Sequence, residues 1–264
     1  MIESAASHQI KKIQKLMRNA RFRRQEKLFA AEGWKMAEEA LERRLVAALY
    51  LSESALPEYQ RRLDAGEIIT PADGTVVEVV ADKCFRDLAD TVNPQGILAV
   101  IRMPQYDREQ ILSLPGARVL CLEDIQDPGN LGTMMRTAEG AGMSALILSK
   151  GCVDLFNPKV VRATMGALFR VPFLYCDDMS TEVENLKQRD FTVYAATLDA
   201  DSDFREEEYS GRAAVLVGNE ANGLSPAVSE KADKRIKIPM EGELESLNAA
   251  VSAALLMYEL YRHR

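Results

Sequence analysis

The chain has 264 residues, 47% hydrophobic and 28% charged, with a formal net charge of −7. That length holds one large domain or two modest ones, each able to bury a core, and two are expected. No apolar run approaches the ~18 residues of a membrane span, and "MIESAASHQIKKIQKLMRNARFRR" has no apolar core of the signal-peptide type, so no membrane partner and a cytoplasmic location are expected.

The first predicted element is basic. Lys11, Lys12, Lys15, Arg18, Arg21, Arg23, Arg24 and Lys27 stand against Glu3 and Glu26, a net +6 over residues 1–28 that leaves −13 on the remainder. Such a helix suits a phosphate-backbone binder. It equally suits a solvated surface helix packing Ile10, Ile13, Leu16 and Met17 on the body, and both can hold together. Next, "LFAAEGWKMAEEALERR" reads as a strand turning at Gly33 into a helix, and "LVAALYLSE" as a second strand. "EIITPADGTVVEVVADKCFRDLAD" continues the alternation through a turn at Asp73-Gly74, and "NPQGILAVIRMP" adds another strand. Polar, Pro-bounded residues then suggest a linker at 107–116, between a domain at 1–106 and another at 117–264.

In the second domain the expected order is strand "RVLCLED", helix 131–141, strand "ALILS", helix 159–169, strand "VPFLYC", helix 180–189, strands "FTVYAAT" and "AAVLVG", a short helix after Ser225, strand "RIKIP" and a final helix. Short apolar strands without alternation imply burial on both faces, hence a mainly parallel sheet in a three-layer α/β sandwich. On the last helix, Leu247, Val251, Ala254, Leu255, Tyr258 and Tyr261 form one apolar stripe at helical spacing. Cys84, Cys121, Cys152 and Cys176 form no Cys-x-x-Cys pair, and the two histidines, His8 and His263, lie near the termini. A metal centre, a redox pair and a His-based triad are therefore not expected.

Ligands of parallel α/β sheets sit beyond the carboxyl ends of the strands, so three segments matter most. "DPGNLGTMMR" carries Asn130, Gly132 and Arg136; read alone, these are a turn, a cap and a solvated arginine. "VLVGNEANGLS" places Gly218 at a strand end, followed by Asn219, Glu220 and Gly223, and is neither a Walker loop nor a Rossmann fingerprint. "IPMEGELESLN" precedes the last helix with irregular backbone, where Ser246 alone could serve as the cap. Three such loops can converge on one small-molecule pocket richer in amides and polar groups than in acid/base pairs.

Together the three segments resemble the SpoU, or TrmH-like, branch of the SPOUT RNA methyltransferases. The likeness lies in Asn130-x-Gly132-x-x-x-Arg136, Gly218-Asn219-Glu220-x-x-Gly223-Leu224 and Ile238-Pro239-Met240-x-Gly242-x-x-x-Ser246-Leu247-Asn248, in that order over residues 118–261. "NPKVVRATMGALFRVP" is similar to the family's intervening segment, and the front domain to a small α/β ribosomal-protein-like substrate-binding domain. The resemblance implies a C-terminal trefoil knot and a cleft for S-adenosylmethionine, with Gly218, Ile238, Met240, Leu247 and Asn248 as cofactor-binding residues. It implies methyl transfer to a ribose 2′-hydroxyl, ribosomal RNA being the expected substrate. Arg136 would be the activator, and Asn130, Glu220, Ser246 and Asn248 would hold it and the ribose. A guanidinium is an awkward base, so Arg136 is read as positioning the hydroxyl and phosphate. A homodimer through the C-terminal domain is implied, with RNA met by Lys11, Lys12, Lys15, Arg18, Arg21, Arg23, Arg24 and Arg162, and Lys159 as a lesser candidate. The alternatives are a tRNA 2′-O-methyltransferase, a non-catalytic RNA-binding or assembly factor retaining the fold, and a base-methylating SPOUT enzyme, which the Ser246-Leu247-Asn248 signature disfavours.

Overall fold

In the computed structural model, which describes residues 1–89, 91–200 and 202–263, the chain divides into two compact units. One holds residues 1–105 and 156–169; the other holds 106–155 and 170–264.

The first unit begins with α1 (His8–Arg18), which Ser7 caps by accepting from the Ile10 amide and which buries Ile10, Ile13 and Leu16. The basic segment does not run on as one helix. Asn19 leaves helical geometry at φ −124° and accepts from the Phe22 amide, which starts α2 (Ala20–Glu26). Arg23 then turns inward: it is 3% exposed, and its Nη1 donates to the Leu16 carbonyl at 2.6 Å and the Met17 carbonyl at 3.1 Å. Those carbonyls end α1 and would otherwise be orphaned.

Then come β1 (Leu28–Glu32), α3 (Trp34–Glu42), β2 (Val46–Ser52), α4 (Leu56–Asp64), β3 (Val76–Val80), α5 (Asp82–Arg86) and β4 (Ile97–Arg102). Gly33 makes the turn from β1 into α3 at φ +101°, a conformation strained for any residue with a Cβ. The sheet order is β1-β4-β2-β3, antiparallel except for the β2–β3 pair. The buried face of α1 joins Ala30, Tyr50, Phe85, Leu98 and Val100 in one core.

In the second unit, the stretch expected as a linker folds as α6 (Arg108–Leu112). Asp107 caps it by accepting from the Glu109 and Gln110 amides, and Ile111 and Leu112 are buried in that unit's core. The elements β5 (Arg118–Leu122), α7 (Pro128–Gly140), β6 (Ala145–Ser149), α8 (Pro158–Ala163), β7 (Phe173–Cys176), α9 (Met179–Lys187), β8 (Phe191–Ala196), β9 (Ser202–Asp203), β10 (Arg212–Val217), α10 (Pro226–Ser229), β11 (Lys234–Lys237) and α11 (Ala249–Arg262) follow, with α8 belonging to the first unit. Helix α8 stops well short of the expected 169, because Met165 at φ +51° and Gly166 at φ +91° break it before a 3-10 turn at Ala167–Phe169.

The second sheet runs β7-β6-β5-β10-β8-β11-β9 with every pair parallel. One set of alternate residues, including Val119, Cys121, Ile147, Val193 and Leu216, packs on Leu112, Val183 and Leu186. The opposite set, including Leu120, Leu146, Leu148 and Val215, is also fully buried. Since successive strand residues point to opposite faces, helices must cover both; α7 and α11 pack against each other and on β5, β6 and β10. Cys84, Cys121 and Cys176 are buried thiols; burial pushes Cys176 up to about 12, so it stays protonated and inert.

Helix α11 departs from its sequence reading twice. Its cap is Asn248, whose Oδ1 accepts from the Ala250 and Val251 amides, and Ser246 lies outside it. Its buried face is Ala250, Ala253, Leu256, Met257 and Leu260, while Val251, Leu255, Tyr258 and Tyr261 are 41–51% exposed.

Candidate active site

Three loops at carboxyl ends of the parallel strands meet in the second unit. After β5, Asp127 caps α7, its Oδ1 accepting from the Asn130 amide at 2.7 Å, and Pro128 takes the first helical position, where no amide is needed. This holds Asn130 at the opening of the helix with its side chain free to turn outward. Its Nδ2 donates to Glu220 Oε1 at 3.0 Å, and its Oδ1 accepts from Asn248 Nδ2 at 3.0 Å. One asparagine thus joins loops about 90 and 118 residues further along the chain. The Gln126 and Asp127 amides, each at 3.1 Å, fill the rest of the Glu220 carboxylate.

Partial burial pushes Glu220 upward, but the hydrogen bonds from Asn130 and the two amides outweigh it and hold the carboxyl below its ordinary value. A depressed carboxylate stabilises the fold above its unfolded pKa, and that stabilisation is lost as pH falls through the folded value. The melting-temperature gap between wild type and Glu220→Gln is therefore expected to be full at neutral pH and to close under acid. A gap that stays constant down to pH 3 contradicts this assignment.

Inside the second loop, Asn219 Nδ2 donates to the Asp124 carbonyl at 2.8 Å, and Asn219 Oδ1 accepts from the Ala221 and Asn222 amides. Gly218 lies so close to the return of the same loop that a Cβ there would overlap the Gly223 carbonyl group and the Leu224 amide.

Beside this network opens a cleft of about 570 Å³, walled by Gly218, Glu220, Ile238, Met240, Ser246 and Leu247. The size suits an organic cofactor. Thr197, Leu198 and Asp199, just past the end of β8, also line it and were absent from the sequence reading. The signal available for them was only that "FTVYAAT" ends a strand of the same sheet. Thr197 Oγ1 is buried in this wall, where the Thr197 hydroxyl helps to hold the neighbouring Asp199 carboxyl below its ordinary value. Apolar walls able to sandwich a purine, loop backbone groups along its edge and the polar side chains of Thr197 and Asp199 are chemistry that fits S-adenosylmethionine.

Asn130, bonded to Glu220, and Asn248, bonded to Asn130, are not part of the wall. Arg136 also lies outside it: exposed, about a turn and a half along α7 from Asn130, and without a hydrogen bond or ion pair among the described residues. Of the basic residues in the first unit, Lys11, Arg18, Arg21 and Arg24 are exposed, Lys12 pairs with Glu26 at 2.8 Å, and Lys15 lies 4.2 Å over the Phe22 ring. Arg23, expected among the RNA contacts, is buried in the cap of α1 and cannot reach a phosphate. Lys159 and Arg162 are exposed on α8, where Arg162 shares a small groove with Met17 of α1.

Residues 117–258 match the SpoU rRNA methylase family. The chain belongs to that family. Residues 7–99 match the MRM3-like substrate-binding domain. Among SpoU relatives, the chain is 34% identical over 98% of both sequences to the 23S rRNA (guanosine(2553)-2′-O)-methyltransferase RlmP of Bacillus subtilis. The AdoMet-bound rRNA methyltransferase of Sinorhizobium meliloti superposes with a TM-score of 0.86 at 27% identity, covering 99% of this chain and 97% of that one. The SpoU methyltransferase AviRb of Streptomyces viridochromogenes, in complex with AdoMet, gives 0.87 at 25% identity over 98% of each chain. No helix among the described residues is long and apolar enough to cross a membrane, and no cluster of His, Cys, Asp or Glu there could hold a metal.

Proposed function

We propose that this chain transfers a methyl group from S-adenosylmethionine to a ribose 2′-hydroxyl of RNA, with ribosomal RNA in the cytoplasm as substrate. The observation that carries the reading is the Asn248–Asn130–Glu220 chain of hydrogen bonds, which fastens three loops around one cofactor-sized cleft.

Gly218, Ile238, Met240 and Leu247 hold the cofactor, whose sulfonium supplies an electrophilic methyl group. Asn248 reaches the cofactor region through the loop it closes. A ribose hydroxyl is a weak nucleophile, so the protein must orient it in line and stabilise the charge that develops on its oxygen. Arg136 is the group for this: a guanidinium unpaired among the described residues and able to fork onto hydroxyl and phosphate oxygens together. Glu220 and Asn130 keep the loops in place, and Ser246, on the cleft wall, offers its hydroxyl to the ribose. We place the trefoil knot at the 238–248 segment, and phosphate contacts at Lys11, Lys12, Lys15, Arg18, Arg21, Arg24, Arg162 and Lys159.

The separation of Arg136 from the cleft supports a homodimer in which each Arg136 serves its partner's cofactor. Four large apolar residues left open on α11, which packs on the Arg136 helix, favour a two-fold contact there. Leu255→Asp with Tyr258→Asp is expected to yield a folded monomer in sedimentation, with S-adenosylmethionine binding retained and methyl transfer lost. A fully active monomer contradicts the shared site.

The functional test incubates protein, labelled S-adenosylmethionine and unmodified 23S, 16S or transfer RNA. Label in ribosomal RNA is expected; label in transfer RNA alone moves the substrate, and tight RNA binding with no transfer to any of them favours an assembly factor.

A further inference from the structure

We infer that Glu123 is a positioning residue for cofactor binding, its carboxylate clamping Ser225 so that the cleft wall formed by residues 218–226 is preformed before the cofactor arrives. The inference rests on reading that cleft as the S-adenosylmethionine site.

Glu123 directly follows β5, and its amide donates to the Val217 carbonyl at 3.0 Å, extending the β5–β10 ladder by one residue. Its side chain therefore leaves from a rigid strand end. Both oxygens then go to one residue: Oε2 accepts from the Ser225 amide and Oε1 from the Ser225 hydroxyl, each at 2.8 Å. Ser225 stands at the cap position of α10, where a serine ordinarily turns its hydroxyl back onto the helix amides. Here it makes no such bond, because the hydroxyl is directed to Glu123 instead.

The neighbours of Ser225 on both sides, Leu224 and Pro226, line the cleft. The loop entrance is already held, through Asn219 on the Asp124 carbonyl and Glu220 on the Gln126 and Asp127 amides. The Glu123 clamp holds its exit. Without it, the binding-competent wall becomes one arrangement among several, and apparent affinity falls by the fraction of time it is formed. The Arg136 face is untouched, so the step after binding is unaffected.

Calorimetry with S-adenosylmethionine on the full chain tests this, using Glu123→Ala, Glu123→Gln, Ser225→Ala and the Glu123→Ala/Ser225→Ala double variant, each checked for folding by circular dichroism. Loss of a charge-assisted pair predicts about tenfold weaker binding for Glu123→Ala. Glu123→Gln, which keeps one acceptor in place, and Ser225→Ala, which keeps the amide bond, should fall between it and wild type. The double variant should be no weaker than Glu123→Ala, since residues sharing one interaction are not additive. In turnover, KM for S-adenosylmethionine should rise while kcat stays within about twofold, a split that general loss of stability would not give. Wild-type affinity in folded Glu123→Ala or Glu123→Gln, or strictly additive losses, overturns the clamp alone; a wild-type protein that does not bind S-adenosylmethionine overturns the cofactor reading beneath it.

Discussion

Arg136→Ala is expected to lower methyl transfer by about a hundred- to a thousandfold, the range seen when a preorganised donor to developing charge is removed. S-Adenosylmethionine affinity should stay within about twofold, because Arg136 is no part of the cleft wall. Arg136→Lys should recover little: an ammonium keeps the charge but cannot present two parallel donors to a hydroxyl and its phosphate. If the proposed dimer shares its sites, mixing Arg136→Ala with a variant defective in cofactor binding restores activity in the heterodimers, because one of their two sites receives a wild-type Arg136 and an intact cleft. An Arg136→Ala protein with wild-type turnover removes the arginine from the mechanism.

Gly218→Ala is the second large effect, and it acts on binding. The added methyl group meets backbone of the same loop, at Gly223 and Leu224, and backbone cannot rotate aside as a flexible side chain can. Overpacking of this kind costs typically ~1–3 kcal/mol. It also displaces the Gly223–Leu224 return, which lines the cleft. Loss of detectable S-adenosylmethionine binding with a lowered melting temperature is expected. Unchanged calorimetric affinity in this variant contradicts the loop geometry.

The two kinds of site residue were unequally legible in the sequence. Asn130, Glu220 and Asn248 lie far apart in the chain yet share one run of hydrogen bonds; their segments stood out because Gly, Asn and Pro collect where a parallel strand ends, while the roles expected of them came from the family resemblance. Thr197 and Leu198 line the same cleft but sit in a segment without such punctuation, and only the fold brings them there. Charge counting on the N-terminal segment located a basic face and overstated it by one residue. Whether an arginine points to solvent or caps a neighbouring helix depends on the break at Asn19, which composition does not register.

Periodicity failed on α11 for a physical reason. The helix is apolar on two faces, so Val251, Leu255, Tyr258 and Tyr261 form as regular a stripe as the buried Ala250, Ala253, Leu256, Met257 and Leu260. Hydrophobic pattern tells that a face wants to be covered and is silent on whether the cover is its own sheet or another copy of the chain. The expected helix 159–169 runs past Met165-Gly166, where positive φ breaks α8.

The chemical position of the transferred methyl group tests the central claim most directly. Ribosomal RNA labelled by this protein and S-adenosylmethionine is hydrolysed in alkali, which cleaves only next to a free 2′-hydroxyl. Label recovered in an alkali-stable dinucleotide is the predicted result, since a 2′-O-methyl group blocks cleavage at its own linkage. Label recovered only in mononucleotides places the methyl group on a base and contradicts ribose methylation.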